Sequence, residues 1–254
     1  MTKFSHTIDM TIELLRKEFR VRYKQLALGY VWSIASPLTY AALYYFVFKM
    51  IFEVKTPNYP LFLVAGLFPW QWLTNSISAG AMTFYGNASL IKKTLFPRYL
   101  ISLVVAVQDM IHFIVSLPII IAMILFMDVK MTGAWLWALP ALLIIQFAIT
   151  YSLNLLTATI NLFFRDLERL VQLAMTFLFY MTPVLYAETM IPDRFRHLII
   201  IHPIAPLIIS WRHLFLGEPI QMAYLASSFV WASALLLVSQ YTYNKLQWRF
   251  AEVL

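Results

Sequence analysis

Residues 161–170 read NLFFRDLERL, and the reading of this stretch decides the architecture. Four of its residues, Arg165, Asp166, Glu168 and Arg169, are charged, and long apolar runs flank them on both sides. The 254-residue chain is 61% hydrophobic and only 12% charged. A soluble domain of this size carries roughly a quarter charged residues, so the solvent for most of this chain is a bilayer. The charges therefore mark either a costly polar site inside an apolar body or a place where the chain turns in water.

Working outward, six segments approach the roughly 20 apolar residues that a helical span requires. They run over 29–51, 61–82, 99–127, 134–163, 169–187 and 221–243. Between the fifth and sixth, residues 192–217 hold short apolar runs interrupted by His202, Pro203 and Pro206. That segment cannot cross as one helix and reads as re-entrant or interfacial helices shielded by protein. Residues 8–24 place Ile8, Ile12, Leu15, Phe19 and Tyr23 along one helical face and Arg16, Arg20 and Lys24 along another. That is an amphipathic helix lying in the interface, whether as a basic anchor or in a more specific role. No signal-peptide pattern occurs in the first 24 residues, so the expectation is insertion through the first span. The expected fold is an all-α integral membrane protein, one domain over 1–254, with six transmembrane helices.

With six spans both termini share one side, and 13 of the 19 lysines and arginines fall there. The positive-inside rule makes that side cytoplasmic, and NLFFRDLERL becomes the short turn between spans four and five. Asp166 and Glu168 then stand at the start of span five, where a helix dipole favours acids. The net charge of +7 is explained by topology, without nucleic acid.

Signatures of chemistry are sparse. None of the six glycines is followed by lysine, so a GxxxxGK[ST] phosphate loop is absent. The five histidines show no HExxH or comparable metal spacing, GxSxG does not occur, and zero cysteines exclude disulfides and thiolate sites. The expectation is therefore no catalytic residue and no metal site. Asp109 and His112 lie three apart on the third span, forming an intramembrane polar pair. They read as a functional site, or as a hydrogen-bonded lock between helices or a position close enough to the cytoplasmic interface to be wet; the structural readings are favoured, because a proton relay usually needs more than one such pair. On the first span Trp32, Ser36, Tyr40, Tyr44 and Phe48 recur every fourth residue, a stripe of rings and hydroxyls suited to a carbohydrate path or to helix packing. Trp70, Trp72, Trp135 and Trp137 read more simply as an interfacial aromatic belt.

Five stretches in order carry a resemblance: RVRYKQLALGYVWSIASPL (20–38), GLFPWQWLTNSI (66–77), SLIKKTLFPRYLI (89–101), NLFFRDLERLVQLAMTFLFYMTPVLY (161–186) and HPIAPLIISWRHLFL (202–216). Together they resemble the permease subunit of ABC-2 type polysaccharide exporters for O-antigen, capsule or teichoic acid. The resemblance implies a homodimer in the bacterial cytoplasmic membrane, multi-pass with both termini cytoplasmic, bound to two copies of a separate ABC ATPase. It also implies that ATP and magnesium are held by that partner, and that the substrate is a polysaccharide, O-antigen foremost, on an undecaprenyl diphosphate lipid. By the same analogy the helix over 8–24 and a cytoplasmic coupling region over 83–95 meet the ATPase, through Arg16, Lys17, Leu90, Lys92 and Lys93. Arg20, Arg22, Lys24 and Gly29 stand where the lipid diphosphate would arrive, since arginine binds phosphate oxygens bidentately. Spans one, two and five are assigned the glycan channel, with Trp32, Ser36, Tyr40, Tyr44, Phe177 and Tyr180 facing it. Capsule or teichoic-acid export, a small-lipophile ABC-2 permease, a proton-coupled carrier and a glycolipid-modifying enzyme are the competing readings. The last lacks any converging acid–base or metal constellation.

Overall fold

The computed structural model describes residues 3–23, 31–51, 53, 56–94 and 96–254. Among them helices are the only regular structure. In chain order these are α1 (Lys3–Tyr23), α2 (Val31–Tyr45, continued by a π-helical stretch Phe46–Ile51), α3 (Tyr59–Gly86), α4 (Ala88–Lys93), α5 (Tyr99–Phe126) and α6 (Trp135–Asn161). Next come α7 (Leu167–Met181), α8 (Asp193–Ile201), α9 (Ala205–Leu216), α10 (Met222–Leu246) and α11 (Phe250–Val253). Three are long and apolar enough to cross a membrane: Tyr99–Phe126, Trp135–Asn161 and the run Met222–Arg249. The chain is thus an all-helical, multi-pass membrane protein.

The core is built on α3, which packs against α2, α5, α6, α7 and α9. A helix that is apolar on nearly all sides is a central one, and 19 of its residues are buried. Three amides on α6 lock it from behind. Gln146 Nε2 donates to the Pro69 carbonyl at 2.9 Å, Asn154 Nδ2 to Ser76 at 2.7 Å and Asn161 Nδ2 to Ala81 at 2.6 Å. With little hydrophobic drive between helices in lipid, interhelical hydrogen bonds and small residues bring helices together. Gly80 is the small residue here: a Cβ on it would lie 2.8 Å from the Asn154 side chain.

The opening stretch is a turn. α6 ends at Asn161 and α7 starts at Leu167, with Arg165 and Asp166 exposed between them. Asn161 does double duty, because its Oδ1 also accepts the Glu168 backbone N–H at 3.2 Å and so caps the first turn of α7. Arg165 lies over the Tyr85 ring at 5.6 Å.

Several expectations are corrected. The helix expected to reach residue 187 stops at Met181, because Pro183 has no N–H and drives Thr182 to an extended conformation (ψ 134°). The segment 192–217, expected not to cross as one helix, does form two short helices, α8 and α9, bent by 99°. His202 accounts for the corner: its Nδ1 accepts the N–H groups of Ile204 and Ala205 at 3.2 and 3.0 Å, capping α9. α9 ends at Gly217, whose φ of +70° suits glycine. Trp70 and Trp72 are not belt residues; they are buried, Trp72 stacked on Phe113 at 5.1 Å. Among the described side chains of α1, Leu14 is buried against Leu100 and Val104 of α5, while Ile8 and Ile12 are exposed, which leaves the expected interfacial face uncovered by protein.

Candidate functional site

Three helices converge on one groove of about 620 Å³. α2 contributes Ser36, Tyr40 and Tyr44, each one helical turn from the next. α3 contributes Trp70, Gln71, Thr74, Asn75 and Ser78, and α7 contributes Gln172, Thr176, Phe179 and Tyr180. Rings run continuously along it: Tyr40 stacks on Tyr44 (6.4 Å, 23°), Tyr44 meets Phe179 at 5.9 Å, and Phe179 meets Trp70 at 5.5 Å and Tyr180 at 5.3 Å. Hydroxyl and carboxamide groups line it beside the rings, and among the described residues no charged side chain does. Such a surface offers apolar ring faces to CH groups and neutral donors and acceptors to hydroxyls. Rings, hydroxyls and amides together suit contact with a polyhydroxylated ligand.

Of the residues expected to face a channel, Ser36, Tyr40, Tyr44 and Tyr180 line this groove together. Phe177 does not; it is exposed on another face of α7, and Phe179 takes its place. The side chain of Trp32 lies outside the described residues. Sequence reasoning missed the α3 stripe Gln71, Thr74, Asn75 and Ser78, although its spacing of three, one and three is a helical face that could have been read.

A second groove, about 740 Å³, separates α1 from α4. Lys17, Leu90 and Lys93 line it together, with Asp9, Glu13 and the ring of Phe96. Lys17 Nζ donates to Asn87 Oδ1, tying α1 to the α3–α4 junction. Arg16 turns away to an exposed pair with Glu13 at 2.7 Å, and Lys92 is exposed beside Lys93. Arg20 is exposed at the end of α1; the Arg22 side chain, Lys24 and Gly29 lie outside the described residues. Asp109 is buried, and His112 meets the Phe19 ring of α1 at 5.7 Å. His112 thus lies where α1 packs on α5, and neither residue of the pair lines either groove. Among the described residues no group of three His, Asp or Glu side chains converges as a metal site would require.

At the far end of α7, Glu188 approaches His213 Nε2 at 3.5 Å. Burial alone would raise this carboxyl, but the hydrogen bond and charge of His213, with Tyr224 and Arg212 behind, hold it below its ordinary value.

Comparison with known proteins bears on this geometry. A family model described as ABC-2 type transporter matches residues 11–216. Two proteins of Klebsiella pneumoniae, each named O-antigen export system permease protein RfbA, are 41% and 40% identical to this chain over 249 residues, 98% of this chain and 96% of theirs. A protein of the same name from Myxococcus xanthus is 30% identical, over 91% of this chain and 92% of its own length.

Proposed function

The chain belongs to the ABC-2 type transporter family, and from that premise we propose that it is the permease of an O-antigen exporter. It works with an ABC ATPase and a lipid-linked polysaccharide. The observation that carries this reading is the groove between α2, α3 and α7, lined by rings together with hydroxyls and amides and, among the described residues, by no charged side chain.

The six helical segments α2, α3, α5, α6, α7 and α10 are read as the spans, with α8 and α9 as a re-entrant pair and both termini cytoplasmic. Two copies of the chain assemble, closing the groove into a channel, and two copies of the ATPase hold ATP and magnesium. The groove between α1 and α4 receives the ATPase: it presents Lys17 and Lys93 beside acids and apolar side chains, the mixed surface that a partner helix fits. Arg20, Arg22 and Lys24 meet the diphosphate of an undecaprenyl-type carrier as it reaches the first span at Gly29. Asp109 and His112 serve as a packing lock beneath α1.

Proteoliposomes holding this chain, a diphosphate-linked glycan and the cognate ATPase test the proposal. Expected is ATP-dependent exposure of glycan to an external glycosidase, lost without the ATPase or with a non-hydrolysable nucleotide. Movement without either would overturn it and return attention to Asp109 and His112.

A further inference from the structure

The wall of the groove formed by α7 is lightly packed. Only Val171 and Met175 of its 15 residues are buried, while Leu173, Phe177 and Met181 face outward. The segment just beyond α7 is the opposite: Thr182, Pro183, Val184 and Leu185 leave the helix yet are all buried. Non-helical backbone inside a membrane protein is tolerated only where protein groups satisfy its carbonyls.

The donors come from two side chains. Arg212 of α9, only 3% exposed, donates from Nη2 to the carbonyls of Pro183 and Val184 at 2.7 and 2.8 Å, and from Nη1 to Tyr186 at 3.4 Å. Tyr59 of α3 donates to the carbonyl between them, Leu185, at 3.0 Å. Four consecutive carbonyls are thereby held. The guanidinium lies 3.7 Å from the centre of the Phe62 ring, which stabilises the buried cation. Gly66 leaves the space: a Cβ there would stand 2.9 Å from Arg212 Nη2 and 3.2 Å from the Val184 carbonyl oxygen. The clamped turn reaches back to the helix, because the Tyr186 hydroxyl donates to the last carbonyls of α7, Tyr180 and Met181, at 3.3 Å. Tyr180 and its neighbour Phe179 are the groove's aromatic end.

We infer that Arg212 is a positioning residue for glycan passage: by clamping the 183–186 turn it sets where α7 presents Phe179 and Tyr180 to the substrate. The inference rests on the exporter reading for its consequence, and on the turn's geometry alone for its mechanics.

The chain has no cysteine, so spin labels can be placed singly. Met181→Cys on α7 and Leu136→Cys at the start of α6 are both exposed, and their separation can be measured in labelled chains diluted with unlabelled ones. In Arg212→Lys, whose ammonium cannot bridge the carbonyls in the same fork, the distance distribution should broaden. The glycan concentration giving half-maximal ATP hydrolysis should rise about tenfold, with the maximal rate less affected. Tyr243→Phe removes the hydroxyl that accepts the Tyr99 N–H between α10 and α5, neither of which lines the groove, and should lower the melting temperature while leaving distance and half-maximal concentration unchanged. Should Arg212→Lys fail to accumulate, Tyr59→Phe and Gly66→Ala give the same two readings and decide. Unchanged distances in every clamp variant that folds would overturn the inference. Broadened distances in a protein that exports no glycan would leave the clamp standing and count against the exporter reading instead.

Discussion

Tyr44 touches Tyr40, Phe48 and Phe179 at once, which makes it the junction of the ring path from α2 to α7. Tyr44→Ala removes that junction. Export measured by glycosidase access should fall about threefold to tenfold, the value of an aromatic contact of about 0.5–1.5 kcal/mol. Tyr44→Phe should recover most of it, and copurification of the ATPase should be unaffected. Glu188 carries a pH dependence. Its carboxyl is held below the ordinary value of 4.5, so it stabilises the fold above that value and the contribution is lost as the pH falls through the lowered one. The melting temperature of Glu188→Gln should therefore lie below that of the parent chain at neutral pH, by the equivalent of about 1 kcal/mol, and the two should converge in acid.

At the scale of elements the α3–α6 seam determines whether the groove has a rigid back. Gly80→Ala inserts a methyl where Asn154 already stands within 2.8 Å. Alanine favours helices over glycine by up to about 1 kcal/mol, whereas overpacking costs about 1–3 kcal/mol, so the net effect should be destabilising. Thermal unfolding in detergent should show it, and adding Asn154→Ala should relieve part of the loss as a favourable coupling in a double-mutant cycle. Of these elements, the short turn over 162–166 was legible from its charges and from the apolar runs around it. The early end of α7 was legible too, in Pro183, had the restriction on Thr182 been weighed against the apolar run that continues to Tyr186.

For the whole molecule, topology is the testable quantity. In the cysteine-free chain, single cysteines at Leu136 and Glu218 should react with a membrane-impermeant maleimide from outside the cell. Cysteines at Arg165 and Trp248 should react only after permeabilisation. The reverse pattern would invert the proposed orientation and place the α1–α4 groove out of reach of a cytoplasmic ATPase.

The amino-acid sequence by itself determined that this protein lives in a bilayer, that its helices fall between clusters of charge, and that α2 carries a stripe of rings and hydroxyls. These are one-dimensional properties: composition sets the solvent, and helical periodicity sets a face. Tertiary structure alone decided which faces meet. Phe179 rather than Phe177 joins the groove, because α7's rotation is set at one end by Asn161 capping Glu168 and at the other by Arg212 and Tyr59 holding a buried turn. Trp70 and Trp72 moved from an expected belt into the core because α3 is surrounded by five other helices. Partners distant in sequence, such as Gln146 with Pro69 or Arg212 with Pro183, answer the need of buried polar groups for hydrogen bonds. No local pattern encodes which distant group will answer it.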